Sequence, residues 1–245
     1  MGLTISYDLK TDLEKPHDVR RLVEAIRQHA LDLPFKQVDQ IKEYKDSATG
    51  WENRDDPDRT LKIMSAVMMV DGINLCPAPP EHMIIFQTWP GEGSEPAIFG
   101  FCRYPAEVKM PSGKVQATGR SGWCLYSFCT TQYASDPRCG GVEHFLRCHL
   151  CVIKVLDFIK QTGLATLTVE DGGLYWEKRN IDELAKEIGK WNVFVAGAIS
   201  AFRSSMVGDG TFKAPITEFQ NFEHLEAKGL DRIAELRRKL GGEGE

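Results

Sequence analysis

The chain has 245 residues, 42% of them hydrophobic, which suffices for a substantial core in one large domain or two small ones. Thirty basic residues against 35 acidic ones leave a net charge of -5, without the basic surplus that phosphate backbones favour, so nucleic acid is not an expected partner. The charge-free apolar run over residues 191–202 is far shorter than the roughly 20 residues that a bilayer requires. The sequence therefore predicts no membrane span and no membrane partner.

The N-terminus and the cysteines indicate the cellular compartment. The first ten residues lack a basic region followed by an apolar core, so they do not predict a secretory signal. Seven cysteines, an odd number, favour reduced thiols over a disulfide framework. Both observations predict a cytoplasmic protein.

The first predicted elements are a strand and a helix. Residues 3–10 alternate apolar and polar side chains, as a half-buried strand does, and residues 16–31 carry the apolar stripe of a helix packed on one side. A weaker alternation over residues 35–44 indicates another strand. Asp56 followed by proline is typical of a helix start, and the sequence predicts a second helix from there to about Val70.

The middle of the chain predicts an antiparallel meander. Three strand-like runs, at residues 83–88, 97–104 and 122–129, follow a proline-broken connection over residues 73–82. Turn-forming residues fill the loops between these runs. Most positions in the three runs are apolar, which indicates a sheet covered on both faces, or on one face with aromatic edges.

The second half of the chain is predicted to be mainly helical. The sequence predicts a long buried helix over residues 142–161 and a hairpin over residues 166–178, built around an Asp-Gly pair. Asn180 is the predicted cap of the next helix, whose apolar residues recur at spacings of three and four as a helix-packing seam. The last helical region, over residues 215–240, is predicted to break near Gly229.

These elements predict an α+β fold with a central, mainly antiparallel sheet packed by helices, and a helical C-terminal half. Residues 1–240 are predicted to form a single domain, although a division near residues 135–140 is left open. The Gly- and Glu-rich tail, residues 241–245, is predicted to be disordered.

The segment RCGGVEHFLRCHLC, residues 138–151, suggests a metal or redox site at first sight. His144 and Cys151 lie about 10.5 Å apart along a helix, whereas zinc holds its ligands within about 2.3 Å of one point. Cys148 lies near two turns into an apolar helix, where burial makes thiols inert. The sequence therefore predicts Cys148 and Cys151 as core residues and His149 as a hydrogen-bonded interior histidine, with neither a metal nor a cofactor.

The meander topology predicts where a site would lie. If the three strands run up, down and up, the loop over residues 89–96 and the segment after Cys129 meet at one sheet edge, where the long helix also begins. Four residues there are candidates for acid-base or nucleophilic catalysis, namely Glu92, Glu95, Cys129 and His144. Five more are candidates for ligand binding, namely Trp89, Thr130, Gln132, Tyr133 and Arg138.

Two functional hypotheses follow, and the sequence does not decide between them. The first is a ligand-binding protein or a protein-interaction and assembly protein that uses the sheet edge or the seam helix. The alternative is a hydrolase or transferase, which would require the candidate residues to line one concave pocket. The expected partner is a small molecule or a protein, and a homo-oligomer is left open.

Overall fold

A computed structural model of the protein describes residues 3–45, 54–205 and 214–241. The strands are β1 (Thr4–Thr11), β2 (Gln37–Val38), β3 (Lys42–Lys45), β4 (Val67–Asp71), β5 (Asn74–Ala78), β6 (His82–Trp89), β7 (Ala97–Arg103), β8 (Glu107–Lys109), β9 (Val115–Ala117), β10 (Trp123–Thr130) and β11 (Thr166–Asp171). The helices are α1 (Pro16–Leu31), α2 (Arg59–Met64), α3 (Gly141–Thr162), α4 (Tyr175–Lys178), α5 (Ile181–Ser205) and α6 (Phe222–Gly241).

Seven strands form one central sheet in the order β11-β1-β10-β7-β6-β2, with β3 also paired to β6. The neighbours β6, β7 and β10 pair antiparallel, which confirms the predicted meander. The first strand inserts beside β10, and β11 pairs with the other edge of β1. The predicted α+β fold with a helical C-terminal half is therefore confirmed.

The core lies between one face of this sheet and the two helices α1 and α3. Alternate residues of β1, such as Ile5 and Leu9, pack there against Val23 of α1 and Leu156 of α3. Both helices match their predicted bounds within a residue, because each carries a long apolar stripe. On the other face of the sheet, Leu61 of α2 covers part of β6 and β7.

The predicted second helix is wrong beyond residue 64. Residues Val67–Asp71 instead form β4, which pairs with β5 in a separate two-stranded sheet. Gly72, with a φ of +64°, supplies the positive φ that the tight turn between them requires. The Asp71 carboxylate accepts hydrogen bonds from the Ser112 backbone amide (2.9 Å) and hydroxyl (2.7 Å), which join this hairpin to the β8–β9 hairpin.

The predicted hairpin over residues 166–178 is also wrong. Its first half forms β11, but the chain then leaves the sheet and enters α4. The Asp171 carboxylate accepts from the backbone amides of Gly173 (2.7 Å) and Trp176 (2.9 Å). These bonds satisfy amides at the start of the short helix and turn the chain away from the sheet.

The helical C-terminal half contains α5 and α6, which pack together where Gly197 meets Gly229. The predicted cap is confirmed, because the Asn180 side chain accepts from the Glu183 backbone amide (3.2 Å). The predicted break near Gly229 is wrong, since α6 continues through this residue. A Cβ atom at Gly229 would lie 2.6 Å from the Gly197 Cα, so the glycine permits close helix approach. Residues 242–245 of the predicted disordered tail lie outside the described residues. No helix within the described ranges is long and apolar enough to span a membrane.

Candidate functional site

The loop over residues 89–96 and the segment after β10 lie at one edge of the sheet, as the topology predicts. The Glu95 backbone amide donates to the Thr130 carbonyl oxygen (2.8 Å), and the Thr130 amide donates to the Glu95 carboxylate (3.0 Å). A Cβ atom at Gly93 would lie 2.3 Å from the Tyr133 carbonyl oxygen. Helix α3 also begins there, since His144 Nε2 lies 2.9 Å from the Glu92 carbonyl oxygen.

Both candidate glutamates take part in interactions that organise this loop. Glu92 is exposed and forms an ion pair with Lys36. The Lys36 ammonium group lies 4.4 Å from the centre of the Trp89 ring, in a cation–π contact. The Glu95 carboxylate accepts from the Thr130 amide at the end of β10. Their contacts therefore give each carboxylate a structural partner.

The candidate nucleophile and base are both engaged within the chain. Cys129 is fully buried, and its thiol donates to the Glu95 carbonyl oxygen (3.0 Å). Burial raises the pKa of the Cys129 thiol well above its ordinary value. His144 Nδ1 lies 3.0 Å from Arg147 Nη2, and Nε2 faces the Glu92 carbonyl oxygen. Because a guanidinium only donates and a carbonyl only accepts, these contacts occupy both ring nitrogens.

Gln132 belongs to a buried polar network. Its side-chain oxygen accepts from the Leu3 backbone amide (2.9 Å), and its side-chain nitrogen donates to Asn192 Oδ1 (3.2 Å). The Asn192 side-chain nitrogen donates to the Ser135 hydroxyl (2.8 Å), which donates to the Gln132 carbonyl oxygen (2.6 Å). This network joins the end of β10 to α5.

The remaining candidate residues also have partners inside the chain. The Thr130 hydroxyl lies 3.0 Å from the Thr4 hydroxyl, across the β1–β10 pair. The Tyr133 ring packs edge-on against Phe219, with their centres 6.4 Å apart. The Arg138 guanidinium lies 2.6 Å from an Asp136 carboxylate oxygen. The predicted residues are thus close in space, and internal contacts hold most of their polar groups.

A buried hydroxyl–imidazole–carboxylate series lies beneath this edge. The Thr131 hydroxyl lies 2.9 Å from His149 Nδ1, and His149 Nε2 lies 3.2 Å from the Asp171 carboxylate. This is the order of groups in a hydrolase triad. However, the side chains of His149 and Asp171 are both 0% exposed, so a substrate cannot reach them. The predicted interior role of His149 is confirmed.

Opposing effects act on the pKa of the Asp171 carboxylate in this series. Burial opposes ionisation of Asp171, but the nearby His149 imidazole and the hydrogen bonds from the Trp176 and Gly173 backbone amides outweigh it. His149 Nε2 lies 3.2 Å from the carboxylate without the geometry of a hydrogen bond. The pKa of Asp171 therefore lies below its ordinary value. The series joins the end of β10, helix α3 and the end of β11, three segments that are distant in sequence.

The cysteines of α3 are core residues, as predicted. Cys148 and Cys151 are free thiols and are buried. Burial raises the pKa of each to about 11. Within residues 3–45, 54–205 and 214–241, no group of three or more His, Cys, Asp or Glu side chains is placed to hold a metal ion.

A polar groove of about 610 Å³ lies on the face of the sheet opposite α1 and α3, over β11, β1 and β10. The Arg120 guanidinium binds the Asp8 carboxylate there (2.8 Å), and Tyr126 is half exposed beside Asp8. Lys10 and Glu170 complete the charged lining, with two charges of each sign. A solvated face is common in antiparallel sheets, and this balance favours no charged ligand.

The β4–β5 hairpin carries an apolar surface that the sequence prediction missed. Four large apolar side chains form this hairpin face: Met68 (51% exposed), Val70 (59%), Ile73 (99%) and Leu75 (67%). Val70 lies opposite Leu75 in the pairing register, and Ile73 lies at the turn. The signal in the sequence was the Asp71-Gly72 pair, which is typical of a hairpin turn.

Comparisons of the chain with models of protein families, with curated proteins and with solved structures find no match. The functional inference therefore depends on the surfaces of this molecule.

Proposed function

We propose that this chain is a protein-interaction module whose hairpin face binds an amphipathic helix of a partner protein. The observation that carries the proposal is the exposure of four large apolar side chains on one two-stranded hairpin. Contiguous exposed apolar surface is typical of interaction sites. Covering each of these exposed side chains would contribute roughly 1 to 2 kcal/mol to binding.

The backbone edges of the hairpin favour a helix over an added strand. The Val70 carbonyl oxygen on β4 already accepts from the Gln116 side chain (3.2 Å). Pro77 on β5 has no backbone N–H to offer to a new strand. A helix satisfies its own backbone hydrogen bonds, and its diameter of about 10 Å covers two strands that lie about 4.8 Å apart.

The charges beside the hairpin face indicate the chemistry of that helix. Lys109 and Lys114 are exposed on the neighbouring β8–β9 hairpin and outnumber its single carboxylate, the exposed Glu107. The Ser112 hydrogen bonds, and in smaller part Lys114, lower the pKa of the Asp71 carboxylate at the hairpin turn. The lysines therefore favour a helix with acidic residues beside its apolar stripe, through complementary charge.

The test uses two synthetic helical peptides with the same leucine stripe, one flanked by glutamates and the other by lysines. Fluorescence anisotropy is expected to show tighter binding of the glutamate peptide, and added salt should weaken that binding. The double variant Val70→Asp/Leu75→Asp should lose at least tenfold in affinity. Leu164→Asp is the matched control, because Leu164 is also 51% exposed but lies after α3.

Two results would contradict the proposal. One is equal affinity for the two peptides, and the other is binding that survives Val70→Asp/Leu75→Asp. Self-association that only this double variant removes would instead assign the hairpin face to a second copy.

The alternative, a hydrolase or transferase at the sheet edge, has less support. It requires an accessible nucleophile and a free base, whereas Cys129 is buried and both nitrogens of His144 are engaged. The carboxylate of Asp171 is likewise buried beside His149 and is 0% exposed. We therefore retain a single proposed function.

A further inference from the structure

Strand β11 ends the central sheet with an edge that is less protected than the opposite end. It pairs with β1 on one side, and in the described part of the chain no strand pairs with its other side. Its six residues, TLTVED, contain no proline and no lysine. The opposite end of the sheet has the two-residue β2 and the lysine-containing β3. Proteins usually shorten exposed edge strands or place proline and charged side chains there. The β2–β3 end is short and carries lysines, whereas the six-residue β11 carries one exposed charge, Glu170, near its end.

We infer that β11 pairs antiparallel with β11 of a second copy, across a two-fold axis at Thr168. This strand is self-complementary in that register. Thr168 meets its own counterpart, Leu167 meets Val169 of the second copy, and Thr166 meets Glu170 of the second copy. A two-fold interface requires such a match, because the same surface is used twice.

The two faces of β11 agree with this pairing. Leu167 and Val169 are half-buried and contact the core between the sheet and α3. Thr166, Thr168 and Glu170 are exposed on the other face. Pairing therefore places apolar side chains opposite apolar ones and hydroxyl groups opposite polar ones, the combinations that stabilise neighbouring strands. The Glu170 carboxylate meets a hydroxyl group and no second carboxylate.

This inference does not depend on the proposed function. The β4–β5 hairpin lies at the other side of the sheet, where Val67 contacts the cluster that includes Met83 and Ile85 of β6. Strands β1, β10 and β7 separate β6 from β11. The two surfaces can therefore be altered one at a time.

Sedimentation equilibrium of the full chain, between about 1 and 100 µM, tests the inference. The unaltered protein should show a concentration-dependent monomer–dimer equilibrium. Thr166→Glu places a carboxylate opposite Glu170 of the second copy, twice per dimer, and should weaken association at least tenfold. Adding Glu170→Lys should restore it, because each carboxylate then faces an ammonium group. Thr60→Glu makes the same exchange at another exposed position, on α2, and should have no effect.

Circular dichroism checks that each variant is folded, and amide hydrogen exchange gives an independent readout. Protection of the backbone amides of β11 should rise with protein concentration. A monomer at 100 µM without this rise would overturn the inference. So would a dimer unaffected by Thr166→Glu, or one disrupted only by Val70→Asp/Leu75→Asp, which would place the contact on the hairpin face.

Discussion

Replacing Gly229 with alanine tests the close contact between α5 and α6. A Cβ atom built at Gly229 would lie 2.4 Å from the Val193 carbonyl oxygen and 2.6 Å from the Gly197 Cα. Both obstacles belong to the backbone of α5, so no side chain can rotate to make room. The methyl group therefore forces the two helices apart.

Two opposing effects set the expected magnitude. Alanine is favoured over glycine inside a helix by about 0.8 to 1.0 kcal/mol. Overpacking a closely packed site costs about 1 to 3 kcal/mol, and contact with backbone puts Gly229 toward the upper end. Separating the helices also weakens the packing of Val195 and Leu225, which share one buried cluster. We expect Gly229→Ala to lower the free energy of unfolding by about 1 to 2 kcal/mol.

Gly189→Ala is the matched control on α5. No atom lies within 4 Å of a Cβ built there, so only the helix preference acts, and this variant should be stabilised by about 0.5 to 1 kcal/mol. Urea unfolding followed by circular dichroism measures both variants. Each kcal/mol should shift the midpoint of thermal unfolding by about 2 to 4 °C. Equal stabilisation of the two variants would refute the close packing of α5 on α6.

Three further changes test the interior. Asp171→Asn replaces the carboxylate that accepts from the Gly173 and Trp176 backbone amides, and it should cost about 1 to 3 kcal/mol in urea unfolding because a buried amide donor loses its partner. Because the pKa of Asp171 is lowered in the folded protein, its contribution to the free energy of unfolding is complete above the unfolded pKa of about 3.9. This contribution is lost as pH falls through the folded pKa, so Asp171→Asn should show a shallower loss of stability in acid. Mass spectrometry after brief alkylation should find Cys139, which is partly exposed, modified before buried Cys148, and the reverse order would contradict the burial of α3. Gly93→Ala should destabilise the protein by more than about 1 kcal/mol, because Gly93 has a φ of +75° and lies against the Tyr133 carbonyl oxygen. A midpoint of thermal unfolding unchanged from the parent would contradict that contact.

Long periodic segments were predictable from the sequence because many residues repeat the same signal. Helix α1 follows its apolar stripe to the residue, and the order of β6, β7 and β10 follows from short loops between strand-like runs. The predicted seam of α5 is only partly buried, since Ile188 is covered but Phe202 is 47% exposed. In the C-terminal half of α5, contact with α6 determines which side chains are buried, and the spacing of three and four does not.

The two Asp-Gly pairs show where local sequence is insufficient. Asp71-Gly72 forms a hairpin turn whose carboxylate binds Ser112, a residue 41 positions away. Asp171-Gly172 follows a strand as well, but this carboxylate binds two amides ahead of it and the imidazole of His149. The same dipeptide thus reverses the chain in one place and starts a helix in the other. The difference depends on distant partners, which a local pattern does not contain.

For the candidate site, the position of the residues was predictable from the sequence, but their chemical state was not. Strand order alone places the loop over residues 89–96 beside residues 130–133, and the structure agrees. Whether their side chains are free to react depends on which backbone groups they form hydrogen bonds with after folding. Glu95 could serve as an acid in isolation, but in the fold its carboxylate accepts from the Thr130 amide at the end of β10.

The positions of the two proposed surfaces have a joint consequence. The hairpin face lies beside β6, and β11 lies at the other end of the same sheet. Pairing through β11 would therefore leave both hairpin faces uncovered, one on each copy and on outer sides of the dimer. A partner with two suitable helices on a linker long enough to reach both faces would then bind the second at a high effective concentration. Weak contacts at each hairpin face would suffice for firm attachment, which fits a surface of only four apolar side chains.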